Sequence, residues 1–176
     1  MIMRLKPSLE RIYDIIDEEP KVDDSPDAIY KEIQGEVVFE DVTFGYRSYE
    51  PVLEHISLHV KKGEMIGLVG SSGTGKSTMI NLLMRLYDAD DGRILIDGVP
   101  LSGIKRDCLH GQIGVVLQET FLFSGTLYDN IRYAKPDATR LEVIKAAKIA
   151  NAHDFITKFP DGYDTYIEQG GSNVSG

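Results

Sequence analysis

The sequence predicts an α/β fold, and three features lead to that prediction. The first is an apolar run, Met65 to Val69, that is the right length for a buried parallel strand and precedes a glycine-rich loop and a helix. The second is a pair of segments, 37–44 and 52–60, in which apolar residues alternate as in antiparallel strands. The third is the helical character of the chain after Thr126.

Composition limits the size and class of the protein. With 176 residues, 42% of them hydrophobic and 27% charged, the chain is one globular domain or most of one. The net charge of −9 and the scattered positions of the 19 Lys and Arg residues argue against a nucleic-acid partner. A single cysteine, Cys108, excludes an internal disulfide and suits a reducing compartment. No segment approaches the roughly 18 apolar residues of a membrane span, so we expect the chain itself to be soluble.

The first 34 residues are predicted to precede the main domain. Leu5, Leu9, Ile12 and Ile16 form one apolar stripe on a helix that Pro20 ends, within residues 1–20. Residues 21–34 are polar and are interpreted as a linker, and 35–176 as the main domain.

The remaining elements follow in order. A strand at Arg93–Ile96 leads into Asp97-Gly98, a strong hairpin signal. Asp97 could also be a metal ligand, but Asp-Gly is the usual turn pair and favours the turn. A short helix at Asp107–His110 then precedes an apolar strand at Ile113–Leu117. Three helices complete the prediction, at 127–133 after Thr126, from Thr139 to about Ala150 with Glu142 completing a capping box, and at 152–158.

The glycine-rich loop carries the clearest chemical signal. Gly70 to Ser77 fits the pattern G-x-x-x-x-G-K-[ST], between the predicted strand and the predicted helix Met79–Tyr87. In this context backbone N–H groups form an anion site at a helix N-terminus. Lys76 would reach the β- and γ-phosphates and Ser77 would hold Mg²⁺. A plain strand-to-helix turn is the alternative, and the lysine and hydroxyl make a nucleoside triphosphate site the better hypothesis.

Gln118 is the second candidate, because it follows the apolar strand 113–117 at its carboxyl end. Ligands collect at that edge of open α/β sheets, so Gln118 could meet the same nucleotide. From the residues alone a solvated polar side chain is an equal alternative. Hydrolysis also needs a carboxylate for Mg²⁺, which normally ends an apolar strand, and the nearest candidate is Leu95-Ile96-Asp97. The residues therefore predict half of a catalytic site: a loop that binds phosphates, without a clear carboxylate for Mg²⁺.

These motifs resemble the nucleotide-binding domain of an ATP-binding-cassette (ABC) transporter. The resemblance rests on Tyr46, the loop at Gly70–Thr78, the segment Gly92–Gly98, Gln118 and the terminal Asn173–Gly176. The phrase at Phe121–Tyr133 is specific for exporters whose membrane and nucleotide domains share one polypeptide, and Ser8–Asp17 resembles the extension that joins them. The fold implied is a P-loop NTPase core with an antiparallel β subdomain, a helical subdomain and an incomplete parallel sheet.

The resemblance implies a role for each matching residue. Tyr46 would stack on adenine, and Gln118 would contact Mg²⁺ and the attacking water as the catalytic residue. Ser77 would share the Mg²⁺, and Ser175 and Gly176 would grip the γ-phosphate of ATP held by an opposite subunit. The phosphates would lie on Ser72, Gly73, Thr74, Gly75, Lys76, Ser77 and Thr78.

The resemblance also implies partners and a place in the cell. The cofactors are ATP and Mg²⁺, and the partners are a membrane-spanning domain and a second nucleotide-binding domain in a head-to-tail dimer, at the cytoplasmic face of a membrane. Val174 replaces the usual leucine of the signature motif, and Glu168–Gly171 lacks the usual G-E-R-G. The Mg²⁺-binding aspartate and catalytic glutamate are absent from the 176 residues, so we expect weak nucleotide binding and no hydrolysis. The later strands that would cover the parallel sheet are absent too, so we expect exposed apolar surface and marginal stability.

Two other functions fit the loop. A P-loop kinase for a small acceptor would need arginines on a lid, and the helical part offers only Arg132 and Arg140. A nucleotide-sensing interaction module would bind without turnover. Comparing ATP and ADP binding discriminates between these functions and a transport ATPase.

Overall fold

The computed structural model describes residues 9, 12, 13, 16, 17, 22–47, 49–116 and 121–171. The chain divides into two compact units, residues 1–114 and 115–176. No helix in the described ranges combines the length and the apolar character needed to cross a membrane.

A four-stranded antiparallel sheet forms the frame of the first unit, with strand order β2-β1-β3-β4. Its strands are β1 (Val37–Phe44), β2 (Leu53–Val60), β3 (Asp91–Ile96) and β4 (Val99–Pro100). The alternation predicted for β1 is interrupted, because Phe39, Val42 and Phe44 are all buried. The reason is an irregularity in the register after Phe39, where Asp41 has a φ of 51°. An extra residue in a strand moves the following side chains to the other face.

Helix α1 (Lys76–Leu83) packs against this sheet. It begins three residues before the predicted Met79 and ends four residues before the predicted Tyr87, and it buries Thr78 and Leu82. The chain leaves the helix at Arg85, whose φ is 51°. A short helix α2 (Arg106–His110) follows. The buried core consists of Phe39, Val42, Phe44, Leu53, Leu82, Ile94, Ile96, Leu101, Ile104 and Leu109.

Two predicted parallel strands are not formed in the described part of the chain. Residues 65–69 and 113–116 pair with no neighbouring strand there, and Leu117 lies outside the described residues. Met65 and Val69 are 95% and 98% exposed. A strand exists only through hydrogen bonds to a neighbour, so an apolar run without one stays unpaired and presents apolar surface.

The second unit is mainly helical. It contains β5 (Gly125–Thr126), α3 (Leu127–Ile131), α4 (Arg140–Ile149), α5 (His153–Ile156) and β6 (Tyr166–Ile167), with β5 and β6 antiparallel. Thr126 and Thr139 both cap their helices, as predicted, and each forms a full capping box, which was predicted only for Thr139. Its core consists of Leu127, Val143, Ala147, Ile156, Tyr163 and Ile167.

The segment before the sheet is packed rather than loose. Val22 and Ala28 are buried, and the Ile29 N–H donates to the Gly103 carbonyl at 2.9 Å. Further upstream, the described residues Leu9, Ile12, Tyr13 and Ile16 are exposed, and all of them are helical. Ser8 and much of the predicted leading helix lie outside the described residues.

Candidate nucleotide site

The loop at residues 70–78 runs directly into the N-terminus of α1. Gly75 occupies the N-cap position with a φ of 83°, a left-handed conformation that glycine adopts at little cost. A Cβ there would lie 2.5 Å from Leu53 Cδ2, so a side chain at this position would displace the buried Leu53. No side chain caps α1, and its first turn holds no acidic residue. The free N–H groups of this helix end therefore form a site for an anion.

Lys76 places a positive charge inside the loop. Its Nζ donates to the carbonyl oxygens of Gly70 at 2.8 Å and Ser71 at 2.6 Å, and lies 3.3 Å from Thr74 Oγ1. These bonds hold the ammonium against the backbone of the loop. An anion of high charge density, such as a polyphosphate, is the ligand that this arrangement attracts.

The other predicted loop residues surround this lysine. Ser72, Gly73 and Thr74 are exposed, Ser77 is exposed in the first turn of α1, and the backbone conformation of Gly73 is also left-handed. Mg²⁺ bound with a nucleotide takes one or two protein oxygens and otherwise waters and phosphates. The exposed Ser77 hydroxyl fits that requirement. The described residues contain no cluster of acidic or histidine side chains that would hold a metal by itself.

Tyr46 lies two residues after the end of β1, and its side chain contacts α1. Its hydroxyl accepts a hydrogen bond from Asn81 Nδ2 at 3.1 Å and lies 3.4 Å from Thr78 Oγ1. Its ring meets those of Phe44 and Tyr87 edge-on, with both centroid distances 5.1 Å. Half of the residue, 49%, remains exposed. The structure thus brings a partly open aromatic ring to the helix that carries the loop.

Three predicted site residues, Gln118, Ser175 and Gly176, lie outside the described residues. Asp97 is the turn residue that its Asp-Gly pair predicted. Its carboxylate accepts from the N–H groups of Gln34, Gly35 and Glu36 at 2.6, 3.1 and 2.9 Å. Burial raises the pKa of Asp97, but these three bonds and the nearby Lys31 outweigh that effect and the pKa is lowered.

The sequence prediction missed Asn81. It lies three residues after Thr78 and four after Ser77, a spacing that places all three on neighbouring rows of one helix. That spacing was the available signal. It could not reveal the contact with Tyr46, because 35 residues separate the two in the chain.

Comparison with known proteins decides the family. The ABC transporter family model matches residues 53–176, which include the loop, α1 and the whole second unit. The chain belongs to the ABC transporter family. It is an ATP-binding domain of the exporter type, which confirms the resemblance and the α/β P-loop fold class.

Relatives of this ABC transporter domain are much longer proteins. The chain is 46% identical to "Uncharacterized ABC transporter ATP-binding protein YfiC" of Bacillus subtilis, and the match covers 94% of the chain and 28% of that protein. The "Fatty acid ABC transporter ATP-binding/permease protein" of Mycobacterium bovis is 40% identical, over 96% of the chain and 26% of that protein. The chain spans less than a third of the length of these relatives.

A solved structure agrees with the sequence relatives. "Structure of a bacterial Atm1-family ABC exporter with ATP bound" superposes with a TM-score of 0.91 and 38% identity, over 99% of this chain and 31% of that one. The similarity therefore extends over almost the whole chain, including the segment before the sheet.

Proposed function

We propose that this domain binds ATP with Mg²⁺ at the loop 70–78 and that, in the complete protein, ATP hydrolysis powers export of a substrate across a membrane. The observation that carries the proposal is the uncapped N-terminus of α1 with the Lys76 ammonium held inside the loop, 2.8 and 2.6 Å from the Gly70 and Ser71 carbonyl oxygens. This geometry concentrates positive potential where phosphates would bind.

Each residue has a proposed part in this function. The N–H groups of residues 72–78 and the Lys76 ammonium bind the phosphates, and Tyr46 stacks on the adenine. Ser77 would hold Mg²⁺, which would neutralise charge on the phosphates. Gln118 would contact Mg²⁺ and orient the attacking water. Ser175 and Gly176 contribute to the γ-phosphate site of a second copy.

The proposed assembly follows from the same family membership. The proposed domains are a leading helix in 1–20, a linker in 21–34 and the nucleotide-binding domain in 35–176. The domain works at the cytoplasmic face of a membrane, joined to a membrane-spanning domain, and pairs head-to-tail with a second nucleotide-binding domain. The names of the Mycobacterium bovis relative and of the solved structure support this proposal, since they describe an ATP-binding/permease protein and an ABC exporter.

Calorimetric titration of the chain with ATP and Mg²⁺ tests the binding site. Lys76→Ala removes charge-assisted hydrogen bonds of roughly 1.5–3 kcal/mol, so we expect the Kd for ATP to rise about 10- to 150-fold. Lys145→Ala is the control, because it removes the same charge from an exposed position on α4. Equal affinity of the Lys76→Ala chain and the unaltered chain would refute the proposed site.

Turnover is tested separately by phosphate release. The 176 residues contain no Asp-Glu pair after an apolar run downstream of the loop. We therefore propose that this chain binds ATP without hydrolysing it, and ATP turnover by the 176-residue chain above the background rate would contradict that. Stronger binding of ATP than ADP, without transfer of phosphate to a small acceptor, would exclude the kinase alternative.

A further inference from the structure

One hydrogen bond of normal length holds the hydroxyl group of Tyr46. The distance from Asn81 Nδ2 to the Tyr46 hydroxyl, 3.1 Å, lies in the normal range for an N–H donor to oxygen. The hydroxyl lies 3.4 Å from Thr78 Oγ1, which is long for a bond between two hydroxyl groups. Asn81 is therefore the main anchor of the tyrosine hydroxyl.

The anchor belongs to the same rigid element as the phosphate-binding groups. Asn81 and Lys76 both lie on α1, five residues apart, and Thr78 on the same helix is buried. Because a helix transmits position without bending over so short a distance, the ring of Tyr46 is fixed relative to the loop. Edge-on contacts with Phe44 and Tyr87 limit its rotation further, and half of the residue remains accessible.

We propose that Asn81 is a positioning residue that orients the ring of Tyr46, so that the site binds nucleotides carrying a base in preference to bare polyphosphate. This inference rests on the proposed function, because it needs Tyr46 to be the surface on which the base stacks. Asn81 does not touch the nucleotide in this role. It acts through Tyr46, by keeping the ring in place before the ligand arrives.

The physical reason is preorganisation. An aromatic side chain that is free to rotate loses conformational entropy when a base stacks on it, and this loss weakens binding. Ordering one such side chain weakens binding by a factor of about 2 to 12. A ring that Asn81 already holds avoids that loss. A bare polyphosphate does not contact the ring, so the state of Asn81 does not change its affinity.

The test is calorimetric titration of the chain with ATP and with inorganic tripolyphosphate, both with Mg²⁺. Asn81→Leu removes the donor at similar volume, and Tyr46→Phe removes the hydroxyl and keeps the ring. For each variant we expect the Kd for ATP to rise about 2- to 12-fold and that for tripolyphosphate to change less than about 2-fold. Tyr49→Phe is the control, since Tyr49 belongs to the same turn and is 78% exposed.

The double variant Asn81→Leu with Tyr46→Phe should bind ATP no more weakly than the weaker single variant, because both changes break one bond. Three results overturn the inference: unchanged ATP affinity in Asn81→Leu, equal losses for ATP and tripolyphosphate, or losses that multiply in the double variant. If Asn81→Leu fails to fold by circular dichroism, Tyr46→Phe decides alone. Failure of the unaltered chain to bind ATP would instead remove the proposed function.

Discussion

Replacing Asp24 tests how the segment before the sheet is held. Arg85 is buried, with 2% of its side chain exposed, and a guanidinium cannot lose its proton in a protein. Its Nη1 lies 3.4 Å from Asp24 Oδ1, and its Nη2 donates to the Asp23 carbonyl at 2.7 Å. Asp24 also accepts from the N–H of Arg106, at 3.1 Å, at the start of α2. The Asp24 carboxylate therefore links the segment before the sheet to the C-terminal end of α1 and to the N-terminal end of α2.

The magnitude follows from the burial of the two partners. Removing one member of a buried ion pair costs about 3–5 kcal/mol, since the other charge stays buried. The Asp24 side chain is 25% exposed and Asp88 also faces Arg85, so water and a second carboxylate reduce the effect. We expect Asp24→Ala to lower the free energy of unfolding by about 2–3 kcal/mol.

Urea denaturation followed by circular dichroism measures this effect. Asp88→Ala is the matched control, because Asp88 lies 3.2 Å from the same arginine but is 52% exposed, and we expect a loss below about 1 kcal/mol. Arg85→Met removes the buried charge itself, so it should cost less than Asp24→Ala. The reasoning is refuted if Asp88→Ala costs as much as Asp24→Ala, or if Asp24→Ala changes stability by less than about 0.5 kcal/mol.

Two further predictions concern the loop and the helical unit. Gly75 and Gly73 both have positive φ, but a Cβ at Gly75 meets a leucine at 2.5 Å and a Cβ at Gly73 meets nothing within 4 Å. Gly75→Ala should therefore lower the free energy of unfolding by about 1–3 kcal/mol more than Gly73→Ala, and equal values in thermal melts would contradict this. The Lys135 ammonium, then the N–H and hydroxyl of Thr139, lower the pKa of Glu142 from 4.5 to about 2. The ionised Glu142 therefore stabilises the fold fully above pH 4.5, and this contribution is lost as the pH falls towards 2. In Glu142→Gln the contribution is missing at every pH, so the urea midpoint should fall less steeply across that range than in the unaltered chain. Identical slopes would exclude this role.

Local patterns were sufficient for much of the fold and for the loop. The helix cap at Thr126, the capping box at Thr139 and the Asp97-Gly98 turn were predicted correctly, because each depends on residues close together in the sequence. The motif ending in Lys76 and Ser77 also required no long-range information. The roles given to Tyr46, residues 72–78, Gln118, Ser175 and Gly176 all stay predictions.

The predictions that failed concern contacts between residues that are distant in the sequence. The runs 65–69 and 113–116 have the composition of strands but form no ladder among the described residues, because a strand needs a neighbour that composition does not supply. The residues that α1 buries, Thr78 and Leu82, were not predicted for the same kind of reason, since the position of the sheet decides which side of a helix is covered.

The sequence by itself thus determined the loop motif, the helix caps and the tight turns, whose causes act over a few residues. Only the tertiary structure decided that Asn81 holds Tyr46 and that Asp24 meets Arg85, across 35 and 61 residues. These contacts depend on how the sheet and α1 pack, and packing brings together residues whose separation in the sequence carries no periodic signal.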